Sequence, residues 1–98
     1  MSVPVVLRPE AQQDLIAARD WYDDKRYGLG DDFVAEVTEC FERLAEMPEM
    51  FAPIWEDVRN CRTHRFPYMI YYRALGDRVE VLAILHGSRD SASLRSRG

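Results

Sequence analysis

Two runs of aromatic and branched residues, Phe66-Pro67-Tyr68-Met69-Ile70-Tyr71-Tyr72-Arg73 and Val79 to Leu85, stand either side of a Gly76-Asp77 turn. Runs of this length joined by a short glycine-containing loop predict a hairpin of buried strands. In the second run Val79, Val81, Ala83 and Leu85 alternate with Glu80, Leu82, Ile84 and His86. Both faces are mostly apolar, which places this strand inside a sheet rather than at a wet edge. The surplus is in arginine: Arg59, Arg62, Arg65 and Arg73 flank the strands, and Arg89 follows the last one. A core hairpin does not need them, so they are the first candidates for function.

The hairpin needs partners, and the rest of the chain supplies them. Val3 to Leu7 is a short β-branched run whose Pro4 predicts an edge strand. Pro9 suits the first turn of a helix, and Ala11, Leu15, Ala18 and Tyr22 recur at helical spacing, so an amphipathic helix is predicted over 9–26. Gly28 and Gly30 interrupt it. Asp31 and Asp32 then load the start of a second helix, whose buried stripe is Phe33, Val37, Cys40, Phe41 and Leu44 and whose end is Pro48. Met47 to Pro53 reads as a connector anchored by Phe51, Ile54 and Trp55. Three strands follow, at about 57–64, 66–74 and 79–86 by their composition. The order βααβββ predicts an α+β fold, a helix hairpin packed on a small, mainly antiparallel sheet. The other sheet face is left open, covered by the tail, or covered by another chain. Ser91 to Gly98 reads as a frayed tail or short arm of a single domain spanning 1–98.

At 98 residues the chain suffices for one core. No apolar run approaches the ~20 residues of a membrane span, and Met1-Ser2-Val3-Pro4 lacks the features of a signal peptide, so a cytoplasmic protein is expected. Cys40 and Cys61 are expected as structural free thiols, since a zinc site or disulfide framework would need more ligands at closer spacing. No metal or other cofactor is expected.

The net charge of −4 hides a division. Residues 1–58 carry five Lys/Arg against fourteen Asp/Glu, a balance of −9, and residues 59–98 carry eight Arg against three Asp/Glu, a balance of +5. Such polarity bears on partners more than on folding. Lys25 is the one lysine. Arginine's planar fork suits carboxylates and phosphates, although a codon preference would produce the same bias.

The motifs Pro9-Glu10-Ala11 with Asp14-Leu15, Gly28 to Phe33, Leu44 with Met47-Pro48, Arg59, Phe66-Pro67-Tyr68 with Ile70-Tyr71-Tyr72-Arg73, and Val81-Leu82 with Ile84-Leu85-His86-Gly87 and Arg89-Asp90 stand in this order over nearly the whole chain. In this the sequence resembles the RelE/ParE family of toxins from bacterial type II toxin-antitoxin systems. The resemblance implies the βααβββ fold, growth inhibition, and a cognate antitoxin that wraps the toxin in a hetero-oligomer.

The family divides into two activities. RelE-like members cleave messenger RNA on the ribosome, which requires a base, an acid and cations around the scissile phosphate. Arg62, Arg65, His86 and Arg89 are the candidates for that chemistry. However, Met69 stands where the resemblance implies an arginine, and Arg95 stands near the slot of a terminal tyrosine. His64 and His86 offer an acid/base pair if they meet. The plainer reading is a strand-end histidine and a solvated one. ParE-like members bind and inhibit DNA gyrase without a nuclease centre, and the Phe66-Pro67-Tyr68 strand, the His86 to Asp90 end and the acidic pI of about 5.1 favour that branch. Arg59, Arg62, Arg65, Tyr72, Arg73, His86 and Arg89 are then expected to contact the target or the antitoxin. Trp21, Tyr22 and Trp55 read as core or antitoxin-facing aromatics, and Asp23-Asp24 and Asp31-Asp32 as helix-end charges.

Overall fold

The computed structural model describes residues 2–88 and Leu94. Strand β1 (Val5–Leu7) leads into helices α1 (Pro9–Lys25) and α2 (Leu29–Glu46), followed by strands β2 (Pro53–Trp55), β3 (Val58–Arg62), β4 (Tyr68–Ala74) and β5 (Val79–His86). The strands form one sheet in the order β1-β5-β4-β3-β2. The β1–β5 pair is parallel and the others are antiparallel. The predicted helix hairpin on a mainly antiparallel sheet is therefore present, and β5 lies inside the sheet. One strand was not foreseen: β2 forms at the end of the proline-rich connector, with Pro53 at its first position on a sheet edge, where a missing N–H is tolerated. Within that connector Phe51 and Trp55 pack inward, while Ile54 is half exposed and anchors nothing.

The helix hairpin is set by its turn. Gly28 takes φ 86°, a left-handed conformation open to glycine at little cost. Gly30 then lets α2 approach α1 closely, because a Cβ there would lie 2.4 Å from the Arg19 carbonyl oxygen. Asp23, near the end of α1, reaches across the turn and accepts the Gly30 N–H at 2.8 Å. Its carboxylate thus serves the positive end of α2, as the helix-end reading expected.

A β-bulge decides which side chains face the helices. Tyr71 pairs with Ala83 but Tyr72 pairs with Val81, so Leu82 is an extra residue in β5. The simple alternation read from the sequence consequently fails at Leu82. Val79, Val81 and Ile84 join the helix-side core with Phe33, Val37, Leu44, Ile70 and Tyr72, while Leu82, Ala83 and Leu85 join Val58, Tyr71 and Leu94 on the second face. That second face is partly covered by the chain itself, since Leu94 is 2% exposed within this cluster. Of the segment read as a tail, Ser91 to Ser93 and Arg95 to Gly98 lie outside the described residues.

Candidate interaction site

The sheet's alternation scatters the arginines instead of gathering them. Arg59 lies opposite Tyr72 on the helix side and donates from Nη1 to the Phe51 carbonyl at 2.5 Å and the Glu49 carbonyl at 3.4 Å. It is a clamp for the connector. Tyr72 offers no surface to a partner, because it is fully buried and its hydroxyl donates to the Pro48 carbonyl at 3.0 Å. Burial also raises the pKa of its phenol. Arg73, on the second face, pairs through Nε with Asp57 at 3.0 Å. Arg65 is exposed in the β3–β4 connection, 3.7 Å from Asp32 and against the Phe66 ring. Arg62 is exposed at the end of β3, opposite Met69. Arg89 lies outside the described residues.

The β3–β4 connection is held from the helix side. The buried Glu36 carboxylate accepts the His64 N–H and, at 2.7 Å, the Arg65 N–H. This points His64 toward the acidic flank of α2, where it shares a depression with Glu39, Glu42, Arg43 and Glu46. His86 lies elsewhere, edge-on to Tyr68 at 5.4 Å between centroids, with Nδ1 accepting the Ser88 N–H at 3.1 Å. The two histidines line different depressions and do not form the acid/base pair that a shared site would require. Among the described residues no group of three or more His, Cys, Asp and Glu is placed to hold a metal ion.

What the fold does assemble is an apolar cleft of about 560 Å³ between α1 and the far end of the sheet, lined by Asp14, Ala17, Trp21, Tyr22, Pro67, Tyr68, Ile84 and His86 among others. Its origin is a mismatch of lengths. β1 pairs with Val79 to Val81 only, leaving the rest of that β5 edge without a strand beside it. α1 runs along this edge, and the Asp14 carboxylate accepts the Ile84 N–H at 3.0 Å in place of a strand carbonyl. The floor is a chain of rings: Trp21 stands edge-on to Tyr22, which touches Phe33, Phe66 and Tyr68. Burial, and then the neighbouring Tyr68, raise the Tyr22 pKa and keep its phenol neutral. Trp21 itself is 54% exposed, with the Lys25 ammonium 4.6 Å from its ring centroid. His86 and Pro67 also border a second depression on the other sheet face, with Arg62, Met69 and Tyr71. Asp14 stood in the sequence only as part of a motif with Leu15, because its partner is a β5 edge that exists only in the folded topology.

The cleft is a ring-lined groove between the helix hairpin and the sheet. Residues 5–91 match the family described as the ParE toxin of the type II toxin-antitoxin system parDE. The chain belongs to the ParE toxin family. Within that family it is 30% identical over 83 residues to toxin ParE2 of Mycobacterium tuberculosis, covering 78% of this chain and 73% of the relative. The same identity and coverage are found for toxin ParE2 of a second strain of that species. In fold it is similar to a chain of the chromosomal ParDE toxin-antitoxin system from P. aeruginosa, with a TM-score of 0.76, 20% identity, and coverage of 87% of this chain and 96% of that one. No helix among the described residues of this ParE-family chain is long and apolar enough to cross a membrane.

Proposed function

We propose that this ParE-family toxin acts by binding rather than by catalysis, that DNA gyrase is its target, and that a cognate antitoxin neutralises it from the α1–β5 cleft. The family match over residues 5–91 carries the reading. The separation of His64 from His86 supports binding over RNA cleavage, since in-line phosphate chemistry needs both an acid and a base within reach of one phosphate. The cleft suits a segment that folds on docking. Ala17, Trp21, Tyr22, Tyr68 and Ile84 offer apolar surface, and Arg62, Arg65 and His86 stand toward the same end of the sheet, so apolar anchors interspersed with acidic residues fit best.

The decisive experiment pairs two assays on one preparation. Purified toxin is expected to abolish supercoiling by gyrase, and the antitoxin encoded beside it to restore supercoiling, while primer extension after induction finds no new messenger RNA ends. New ends with supercoiling intact would overturn the gyrase reading in favour of RelE-like cleavage. Unchanged growth on expressing the chain without its antitoxin would remove the toxin activity itself.

A further inference from the structure

Arg62 lies opposite Met69, and Met69 lies opposite Leu85. Since Met69 and Leu85 pack in the cluster on the second sheet face, strand alternation points Arg62 onto that face and away from the α1–β5 cleft. There it borders a depression of about 360 Å³ with Pro67, Met69, Tyr71, His86 and Ser88. No carboxylate lines this depression, whereas three glutamates line the one beside His64. Arg73, on the same face, is neutralised by Asp57, but Arg62 is exposed and makes no ion pair among the described residues. The end of the depression opposite Arg62's strand is fixed by backbone donors: the Gly87 N–H reaches the Pro67 carbonyl at 2.7 Å, and the Ser88 N–H reaches His86 Nδ1 at 3.1 Å. Burial raises the Tyr71 pKa, so its phenol stays neutral. Pro67 and His86 also line the cleft, so the two concavities have two residues in common.

We propose that this second-face depression is the surface that contacts the target, and that it takes an aspartate or glutamate side chain carried on a loop of the target protein. The inference rests on the gyrase reading above and names the chemistry of that contact. A guanidinium presents a planar fork that a single carboxylate fills with two parallel hydrogen bonds. A nucleic-acid backbone is held instead by neutralising several phosphates, and Arg62 is the one permanent cation lining the depression. Pro67 and Met69 supply apolar contact beside the pair and exclude water from it, which strengthens the attraction. Target and antitoxin then occupy opposite faces of the sheet, and a segment seated in the cleft bears on the target surface through Pro67 and His86.

The test measures binding of the purified chain to purified, DNA-free gyrase, with inhibition of supercoiling followed in parallel. Arg62→Ala should weaken both on the order of tenfold, and Arg62→Glu should weaken them further by setting like charges against each other. Ser88→Asp, which places the chain's own carboxylate in the depression, should also weaken both. Melting temperatures of the Arg62 variants should stay within about 4 °C of the wild-type value, which separates a lost contact from a lost fold. If the wild-type chain binds gyrase and the three variants bind equally well, this surface is overturned while the target reading stands. Binding that appears only when DNA is present would overturn it in favour of a phosphate ligand. A wild-type chain that does not bind gyrase at all would remove the target reading, and this contact with it.

Discussion

Arg59 and Arg62 lie three positions apart on one strand and have opposite physical roles. Arg59 bonds two connector carbonyls from the helix side, so Arg59→Ala should cost about 2 kcal/mol by urea unfolding, through loss of a charged donor to both carbonyls. Arg62 is exposed and makes no ion pair among the described residues, so Arg62→Ala should change stability by less than about 0.5 kcal/mol. The tyrosines supply a pH prediction of definite sign. Tyr22, Tyr71 and Tyr72 all have pKa values raised above 10.0, with burial the leading cause. A raised pKa means the folded state holds its protons more tightly than the unfolded one. Their contribution is therefore fully present below pH 10 and is lost as pH rises through the folded values. Thermal melts from neutral to strongly alkaline pH should show this decline, with phenolate absorbance appearing as the fold is lost; a melting temperature that rises above pH 10 would contradict it.

Among the elements, the short β1 has the widest consequences. Because it stops pairing at Val81, the Ile84 N–H needs another acceptor, and α1 supplies Asp14. Asp14→Ala should cost about 1–3 kcal/mol by leaving a part-buried donor unsatisfied, while Asp14→Asn, which keeps an acceptor oxygen, should cost less. Equal losses in the two variants, measured by denaturant unfolding, would show that the charge rather than the acceptor matters. The bulge at Leu82 acts on the same edge, since it turns Ile84 and His86 toward α1. The element order was legible because hydrophobic period and glycine and proline punctuation are local properties. The bulge was not, because both faces of β5 are apolar and every register buries something.

For the molecule as a whole, the acidic residues of α1 and α2 lie in the helix layer while Arg59, Arg62 and Arg73 lie on the strands, and the cleft forms where α1 meets the sheet. Trp21 is its exposed aromatic residue. If the antitoxin docks there, Trp21→Ala should weaken the complex by about 2–4 kcal/mol, read by calorimetry, while changing the toxin's own stability by no more than about 1 kcal/mol. A variant that binds antitoxin as tightly as the wild-type chain would move the interface elsewhere.

The sequence by itself determined the helix hairpin, the antiparallel strands, the core stripe and the family, because each rests on local periodicity or on an ordered set of short motifs. Only the tertiary structure decided what the arginines do. Strand pairing sent Arg59 inward to a connector and Arg73 to Asp57, buried Tyr72 against Pro48, and separated His64 from His86. It also brought Asp14 to Ile84 and placed Cys40 and Cys61 in one core cluster. Contacts between residues distant in the chain depend on strand order and register, which no window of sequence encodes.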